Sequence, residues 1–471
     1  MPENIKTDLC VIGGGSGGLS VAAGAVQMGA RVVLVEGGAM GGDCLNHGCV
    51  PSKSLIAAGK HAYAMTTGAP FGVKPVKPTV DYAKAKDHVA AVIAGIAPHD
   101  SVERFTGLGV KVVQAYGKFT SPTELQAGDV AIRARRFVIA TGSSPLVPPI
   151  PGLNKTPYLT NENIFDQREK PGHLIIIGGG PIGMELAQTY IRLGSQVTVL
   201  EGMKALGKDD PEHAAIALAQ IRSEGVEIVE GALASKITGT AGAITVQTKD
   251  GPAFKGTHLL MAVGRKPNIG GLDLDKAGVA FTRTGITMNA SLKTSNRRIY
   301  AIGDVAGGMQ FTHVAGYHAG VVIRSALFGL PSKASEAHIP WATYTDPEMA
   351  HVGQSEAQAR EIYGDRLEVA RFDFAENDRA RAELTTNGSI KVMVVKGRPV
   401  GASIVGPQAG DLIQVWSLAI ANNLKMGAVA AMISPYPTIG EVNKRAAGAY
   451  FTPRLFENDW VKRVVRLVQR F

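Results

Sequence analysis

Twice in this chain a short apolar run breaks into a cluster of glycines, continues as a helix-compatible stretch and returns as a second apolar run that ends on a glutamate. The first copy reads Asp8-Leu9-Cys10-Val11-Ile12, then Gly13-Gly14-Gly15-Ser16-Gly17-Gly18, a small-residue helix over 19–28, a strand over 31–35, and Glu36. The second reads Leu174-Ile175-Ile176-Ile177, then Gly178-Gly179-Gly180-Pro181-Ile182-Gly183, a strand over 196–200, and Glu201. A glycine cluster alone says little. Strand, glycines, helix, strand and acid in that order form a dinucleotide fingerprint: Gly13 and Gly15 allow a tight turn and close approach of a pyrophosphate, and Gly18 lets helix and strand pack. Gly178, Gly180 and Gly183 repeat these roles. The helix N-terminus favours the phosphates, and each glutamate falls where an acid meets a ribose. An acid at Glu201 repels a 2′-phosphate and so favours NADH over NADPH, although Lys204 and Lys208 lie close by.

Between these units lies Gly41-Gly42-Asp43-Cys44-Leu45-Asn46-His47-Gly48-Cys49-Val50-Pro51-Ser52-Lys53, which holds two of the chain's 3 cysteines. Residues five apart on a regular helix point roughly 140° away from each other, so the sulfurs meet only if the turn is distorted, which Gly48 permits. The expected result is a small disulfide loop at a helix start, where thiol pKa values fall. Half of a metal site and two inert thiols are the alternatives. A zinc site normally wants two more ligands at comparable spacing, and only His47 is near, so no resident metal is expected. Cys10, inside the first apolar strand, reads as a packed core thiol.

The chain's 471 residues, with 57 glycines and 45% apolar content, suit an α/β protein of about three domains. So few cysteines exclude a secreted disulfide scaffold and suit a reducing cytosol. With no leader-like N-terminus and no apolar run of membrane-spanning length, a cytoplasmic location is expected. The net charge of +9 is dispersed, so no nucleic-acid partner is expected. The helix of the dithiol stretch is expected to run toward Tyr63, followed by a loop over 66–80, a helix over 82–96, and short strands over 110–113 and 137–139. Thr141 and Gly142 mark a sharp turn, Pro145–Pro151 a domain crossover, and Gly264-Arg265-Lys266-Pro267-Asn268 a turn closing the second unit. Gly42, Thr141, Gly142 and Gly264 are expected near a cofactor. A strand over 298–302 ends at Gly303-Asp304, where Asp304 either binds a polyol chain or simply caps the strand. Domains are expected at 1–150 and 276–340 (flavin-binding), 151–275 (nicotinamide-binding) and 341–471 (α+β, for subunit pairing). The fold class is α/β, with two Rossmann-like dinucleotide-binding domains plus a C-terminal α+β dimerisation domain.

The dithiol loop, both fingerprints, Gly303-Asp304 and Asp346-Pro347-Glu348, in this order, resemble the FAD-dependent pyridine nucleotide–disulfide oxidoreductases, which include dihydrolipoamide dehydrogenase, glutathione reductase and mercuric reductase. The resemblance implies FAD on the first fingerprint, NAD(P)H on the second, and a homodimer in which one subunit completes the active site of the other. It also implies that Cys49 faces the flavin as a thiolate, that Cys44 attacks substrate, and that Lys53 sits beside the flavin, paired with Glu185. Disulfide reductases of this family carry His-Pro-x-x-x-Glu near the C-terminus. Here Glu441 is kept, but Tyr436 stands at the histidine's place. A phenol titrates near pH 10 and is a poor base at neutrality. A tyrosine there resembles mercuric reductases, yet the vicinal C-terminal cysteines usual in those enzymes are missing. The substrate implied is a small disulfide, a thiol-reactive compound or a metal ion; a dihydrolipoamide dehydrogenase, a quinone-reducing diaphorase and a non-catalytic docking flavoprotein are the alternatives. Finally, residues 454–471 carry five Lys/Arg and two acids. Trp460, Val461, Val464, Val465 and Val468 share one helical face opposite Lys462, Arg463, Arg466 and Arg470. This helix either contacts a membrane surface or partner or packs on its own subunit, the latter being the expectation.

Overall fold

The computed structural model describes residues 3–470. Its contacts divide into two compact units. One comprises the chain up to Gly178, Thr189–Thr198 and Leu233–Ala334; the other comprises Gly179–Gln188, Val199–Ala232 and the chain from Ser335 onward.

The first unit begins as β1 (Glu3–Ile12), α1 (Ser16–Gln27) and β2 (Val32–Val35), followed by α2 (Gly42–Asn46) and α3 (Cys49–Ala64). Then come β3 (Lys111–Val113), β4 (Gly117–Ser121), β5 (Glu124–Ala127) and β6 (Val130–Ile139). Further on are β7 (His173–Ile177), α4 (Pro181–Arg192) and β8 (Gln196–Glu201), the last two passing from one unit into the other. β9 (His258–Met261), β10 (Ile299–Ala301) and α5 (Thr312–Phe328) complete the set. β1 runs parallel to β2 on one side and to β6 on the other, and β2 runs parallel to β3. The far edge of β6 is divided. Its first residues pair antiparallel with β5, whereas Phe137, Val138 and Ile139 pair in parallel with Ile299, Tyr300 and Ala301 of β10.

Alternation along these strands builds two apolar layers. Cys10, Ile12, Val33, Val35, Phe137 and Ile139 face one side, while Leu9, Val11, Val32, Leu34 and Val138 face the other, beneath Val21, Ala22 and Ala25 of α1 and Val322 of α5. Cys10 is fully buried, and burial pushes its thiol pKa far up. Removing the Phe137 ring would cost about 3–5 kcal/mol. β6 is longer than its apolar end suggests, because exposed Arg133 and Arg135 alternate with buried Ile132 and Ala134. The hairpin of β4 and β5, absent from the sequence expectation, is masked by the same in–out alternation.

The second unit holds a five-stranded antiparallel sheet of β11 (Pro340–Thr343), β12 (Glu348–Gly353), β13 (Leu367–Asp373), β14 (Ser389–Val395) and β15 (Arg398–Gly406), ordered β11-β12-β15-β14-β13. Trp416 is buried on it and donates to Asn443 Oδ1 at 2.7 Å. Lys391, on β14, is 2% exposed yet has Asp210 at 2.7 Å, Glu356 at 2.8 Å and Glu212 at 3.3 Å. Burial disfavours this ammonium, but its hydrogen bonds to Asp210 and Glu356 outweigh that penalty and raise its pKa. The chain ends in α6 (Glu441–Ala449), a short turn of helix, and α7 (Asp459–Val468). No residue of α7 is buried, so the expected packing of this helix on its own subunit is not what the structure shows.

Candidate active site

β1 delivers the chain into Gly13, whose φ of +111° excludes a side chain; a Cβ there would lie 2.3 Å from the Ala140 carbonyl oxygen. A Cβ on Gly18 would lie 1.9 Å from the carbonyl oxygen of Gly13. α1 starts with Gly15 as its N-cap, with no side-chain cap and no acid in its first turn. Its leading N–H groups and positive dipole end are therefore available to an anion, and this donor set fits the pyrophosphate of FAD. Glu36 closes the turn: its Oε2 accepts from Gly14 N at 2.5 Å and its Oε1 from Gly38 N at 2.6 Å. The carboxylate braces the backbone, a role the sequence did not suggest, and keeps lone pairs for a ribose hydroxyl.

The dithiol loop rests directly on this turn. Gly41 N donates to Gly14 O at 2.9 Å, and a Cβ on Gly42 (φ +61°) would come within 2.7 Å of Gly15 Cα. The helix breaks at His47 and Gly48, between α2 and α3, which removes the angular mismatch of an unbroken helix and brings Cys44 and Cys49 into hydrogen-bonding reach. Both cysteines are free thiols here, the reduced form of the expected redox pair. The Cys44 thiol donates to Cys49 and, more than any other group, holds the Cys49 pKa down to about 6. Thr312 Oγ1 at 3.4 Å and the charge of Lys53 add to this, against the opposing effect of burial. Cys44 is pushed up, first by its bond to Cys49 and then by burial.

A polar network fixes the loop from the side. Asn161 Nδ2 donates to Asp43 Oδ1 at 3.0 Å and to His47 O at 3.2 Å, and the Arg265 guanidinium stands 3.1 Å from the same Asp43 oxygen. Arg265 also donates through Nε to Ser143 Oγ at 2.7 Å, and that hydroxyl donates to Asp304 Oδ2 at 2.5 Å. Burial raises the Asp304 pKa, opposed by Ser143 and Arg265. Asp304 is thus tied to the loop through side chains. The Thr141–Gly142 and Gly264 turns meet: Ser143 to Pro145 pair antiparallel with Arg265 to Pro267, and Thr141 Oγ1 donates to Asn268 O at 2.8 Å. Asn161, Ser143 and Arg265 were not foreseen as site residues. Arg265 and Ser143 stood inside turns already singled out, which was the available signal; their pairing is long-range.

Gly178 repeats the geometry of Gly13, with φ +113° and a would-be Cβ 2.3 Å from Ala262 O. Within the second unit, Glu201 Oε2 accepts from Gly179 N at 2.7 Å and Oε1 from Met203 N at 2.8 Å. A Cβ on Gly180 would meet nothing within 4 Å, and Gly183 lies in the first turn of α4. Glu185 is buried, with Oε1 accepting from Tyr344 N at 2.9 Å. Tyr436 is exposed and its hydroxyl donates to Asp378 Oδ2 at 3.0 Å; that bond raises the phenol's pKa further. Asp378 had no sequence signal. Glu441 opens α6, 3.7 Å from Arg445.

The family model described as pyridine nucleotide-disulphide oxidoreductase matches residues 7–319, and that of the corresponding dimerisation domain matches residues 339–447. A dihydrolipoyl dehydrogenase from Geobacillus stearothermophilus is 35% identical over 94% of this chain and 96% of its own length. A mercuric reductase from Shigella flexneri is 34% identical over 94% of this chain and 80% of its own length. Among solved structures, the Cu(II) complex of the HOCl-induced flavoprotein disulfide reductase RclA from Escherichia coli is 27% identical, with a TM-score of 0.85 over 94% of this chain and 99% of that one. The matches cover both the main segment and the dimerisation segment: the chain belongs to the FAD-dependent, NAD(P)H-using pyridine nucleotide–disulfide oxidoreductase family.

Proposed function

We propose that this protein oxidises NADH and delivers the electrons, through the Cys44–Cys49 pair, to a thiol-reactive electrophile of the mercuric type. The Gly13–Gly18 turn and the start of α1 would hold FAD, which would supply the two-electron link between the nicotinamide and the protein's sulfurs. The observation that carries the reading is the polarised dithiol: Cys49 with its pKa near 6 beside a Cys44 that holds its proton. Before Cys44 can act as a nucleophile that proton must leave. A disulfide substrate needs a base to take it, and Tyr436, donating to Asp378 with a raised pKa, is no such base at neutral pH. A soft metal ion displaces thiol protons as it binds, so it needs no base. The likeness to mercuric reductases and to RclA, solved with Cu(II), supports this preference.

For a disulfide substrate the chemistry balances as ordinary exchange. The Cys44 sulfur bonds to one substrate sulfur and expels the other as a thiolate; Cys49 then attacks Cys44, releases the second thiolate and leaves the Cys44–Cys49 disulfide. Two electrons reach the substrate, and solvent supplies the protons. Lys53 would hold negative charge arriving on the flavin. Tyr436 and Glu441 would enter from across the homodimer to help hold substrate. Glu201 is the basis for favouring NADH over NADPH.

The test is steady-state NADH oxidation by the holoenzyme with mercuric ion, lipoamide and a quinone. The expected order is mercuric ion well above lipoamide, with Cys44→Ser abolishing turnover of both while NADH still bleaches the flavin. Lipoamide turnover matching that of mercuric ion would overturn the metal preference. Quinone turnover that dominates in the native protein and survives Cys44→Ser would mean that substrate meets the flavin directly.

A further inference from the structure

We infer that the C-terminal helix α7 is a cationic in-plane anchor for an anionic phospholipid surface. The helix begins at an Asn458 cap, whose Oδ1 accepts from Trp460 N at 3.0 Å and Val461 N at 3.4 Å, so its start is fixed locally. At about 100° per residue, Trp460, Val461, Val464, Val465, Leu467 and Val468 fall within an arc of roughly 160°, and Lys462, Arg463, Arg466 and Arg470 fall within the opposite arc of roughly 100°. The two faces do not mix. A helix on a globular surface turns such an apolar stripe toward the core; here the stripe is bare except for half-buried Val461. Trp460 is 70% exposed, Val465 53%, Leu467 56% and Val468 61%, and Phe456, in the turn before the helix, is 71% exposed. Among the described residues, Arg463, Arg466 and Arg470 form no ion pair.

Length and charge choose the occupant. Ten residues of helix span about 15 Å, half of a bilayer's hydrocarbon core, so the helix cannot cross and must lie along a surface. No helix among the described residues is long and apolar enough to span a membrane. A second copy pairing through the apolar stripe would leave Lys462, Arg463, Arg466 and Arg470 on the outer face without a counter-charge, so it accounts for only one of the two faces. α7 also lies beyond residues 339–447, the segment matched as the dimerisation domain. An anionic headgroup layer satisfies both faces: arginines and lysine meet phosphates, and the Trp460–Val468 stripe enters the headgroup–acyl boundary.

The test is flotation of the full-length holoenzyme with vesicles of phosphatidylcholine alone and of an equimolar mixture with phosphatidylglycerol. Binding is expected only to the anionic vesicles, at low salt, and should be reversed by high salt. The triple reversal K462E/R463E/R466E and the double change W460D/V465D should each cut the bound fraction about tenfold or more. Both sets change exposed side chains, so dimer mass and NADH oxidation with a soluble dye acceptor should be unchanged. No flotation of the native protein, or flotation that survives both sets of changes, overturns the proposal. So does a fall in dimer mass in either variant, which would make a second copy the occupant.

Discussion

The two glycine turns share one geometry and differ in what lies on top of them. Gly13 and Gly178 adopt nearly the same φ and come equally close to a carbonyl oxygen, Ala140 in one case and Ala262 in the other. Glu36 and Glu201 each accept from the second glycine's N–H and from an N–H two residues past the acid. The first turn, however, is covered by the dithiol loop, which touches it backbone to backbone at Gly42 and Gly15, whereas a Cβ on Gly180 would meet open space. On the proposed reading, the same turn would serve a cofactor that stays and one that must come and go. What distinguishes them is the third layer, not the fingerprint.

The sharpest way to break this contrast is a pair of alanines. Gly18→Ala places its Cβ against a backbone oxygen and should cost more than about 4 kcal/mol, seen as loss of bound FAD and of cooperative unfolding. Gly180→Ala should stay within about 0.5 kcal/mol of native stability and keep its flavin. Equal damage from both would remove the distinction. A smaller effect is expected at Glu201. Glu201→Gln keeps the size but loses charge-assisted bonds worth about 1.5–3 kcal/mol. The KM for NADH should rise roughly tenfold, and the preference over NADPH should shrink; a variant with unchanged selectivity would show that Glu201 only braces its turn.

The mildest expected effect is a pH shift confined to the covered side. Because the folded-state pKa of Cys49 is lowered to about 6, its thiolate persists above that value and is lost as pH falls through it. Thiolate absorbance of the reduced protein should therefore titrate with a midpoint near pH 6. In Cys44→Ala the midpoint should move up toward the ordinary thiol range, since the largest cause of the shift is gone. An unmoved midpoint would assign the shift to Thr312 and Lys53 instead.

The strand–glycine–helix–strand pattern was legible because buried parallel strands are apolar throughout and glycine clusters are rare within them. The first half of β6 was not, because Arg133 and Arg135 alternate with buried neighbours and break the apolar run. The Asp43–Arg265–Ser143–Asp304 network joins residues distant in the chain, so local spacing carries no trace of it. Cys44 and Cys49 were recognisable as a pair from their spacing and the intervening Gly48. The amphipathic character of α7 was visible in its periodicity; its exposure depends on the rest of the unit.

The divided edge of β6 has a consequence for biogenesis. Phe137 to Ile139 have no partner on that side until Ile299 to Ala301 have been made. A ribosome must therefore translate the whole intervening stretch while the first sheet waits with an apolar edge open. Prolonged stalling between these two points would leave a chain prone to edge-to-edge association, so the length of that delay bears on how much protein a cell recovers.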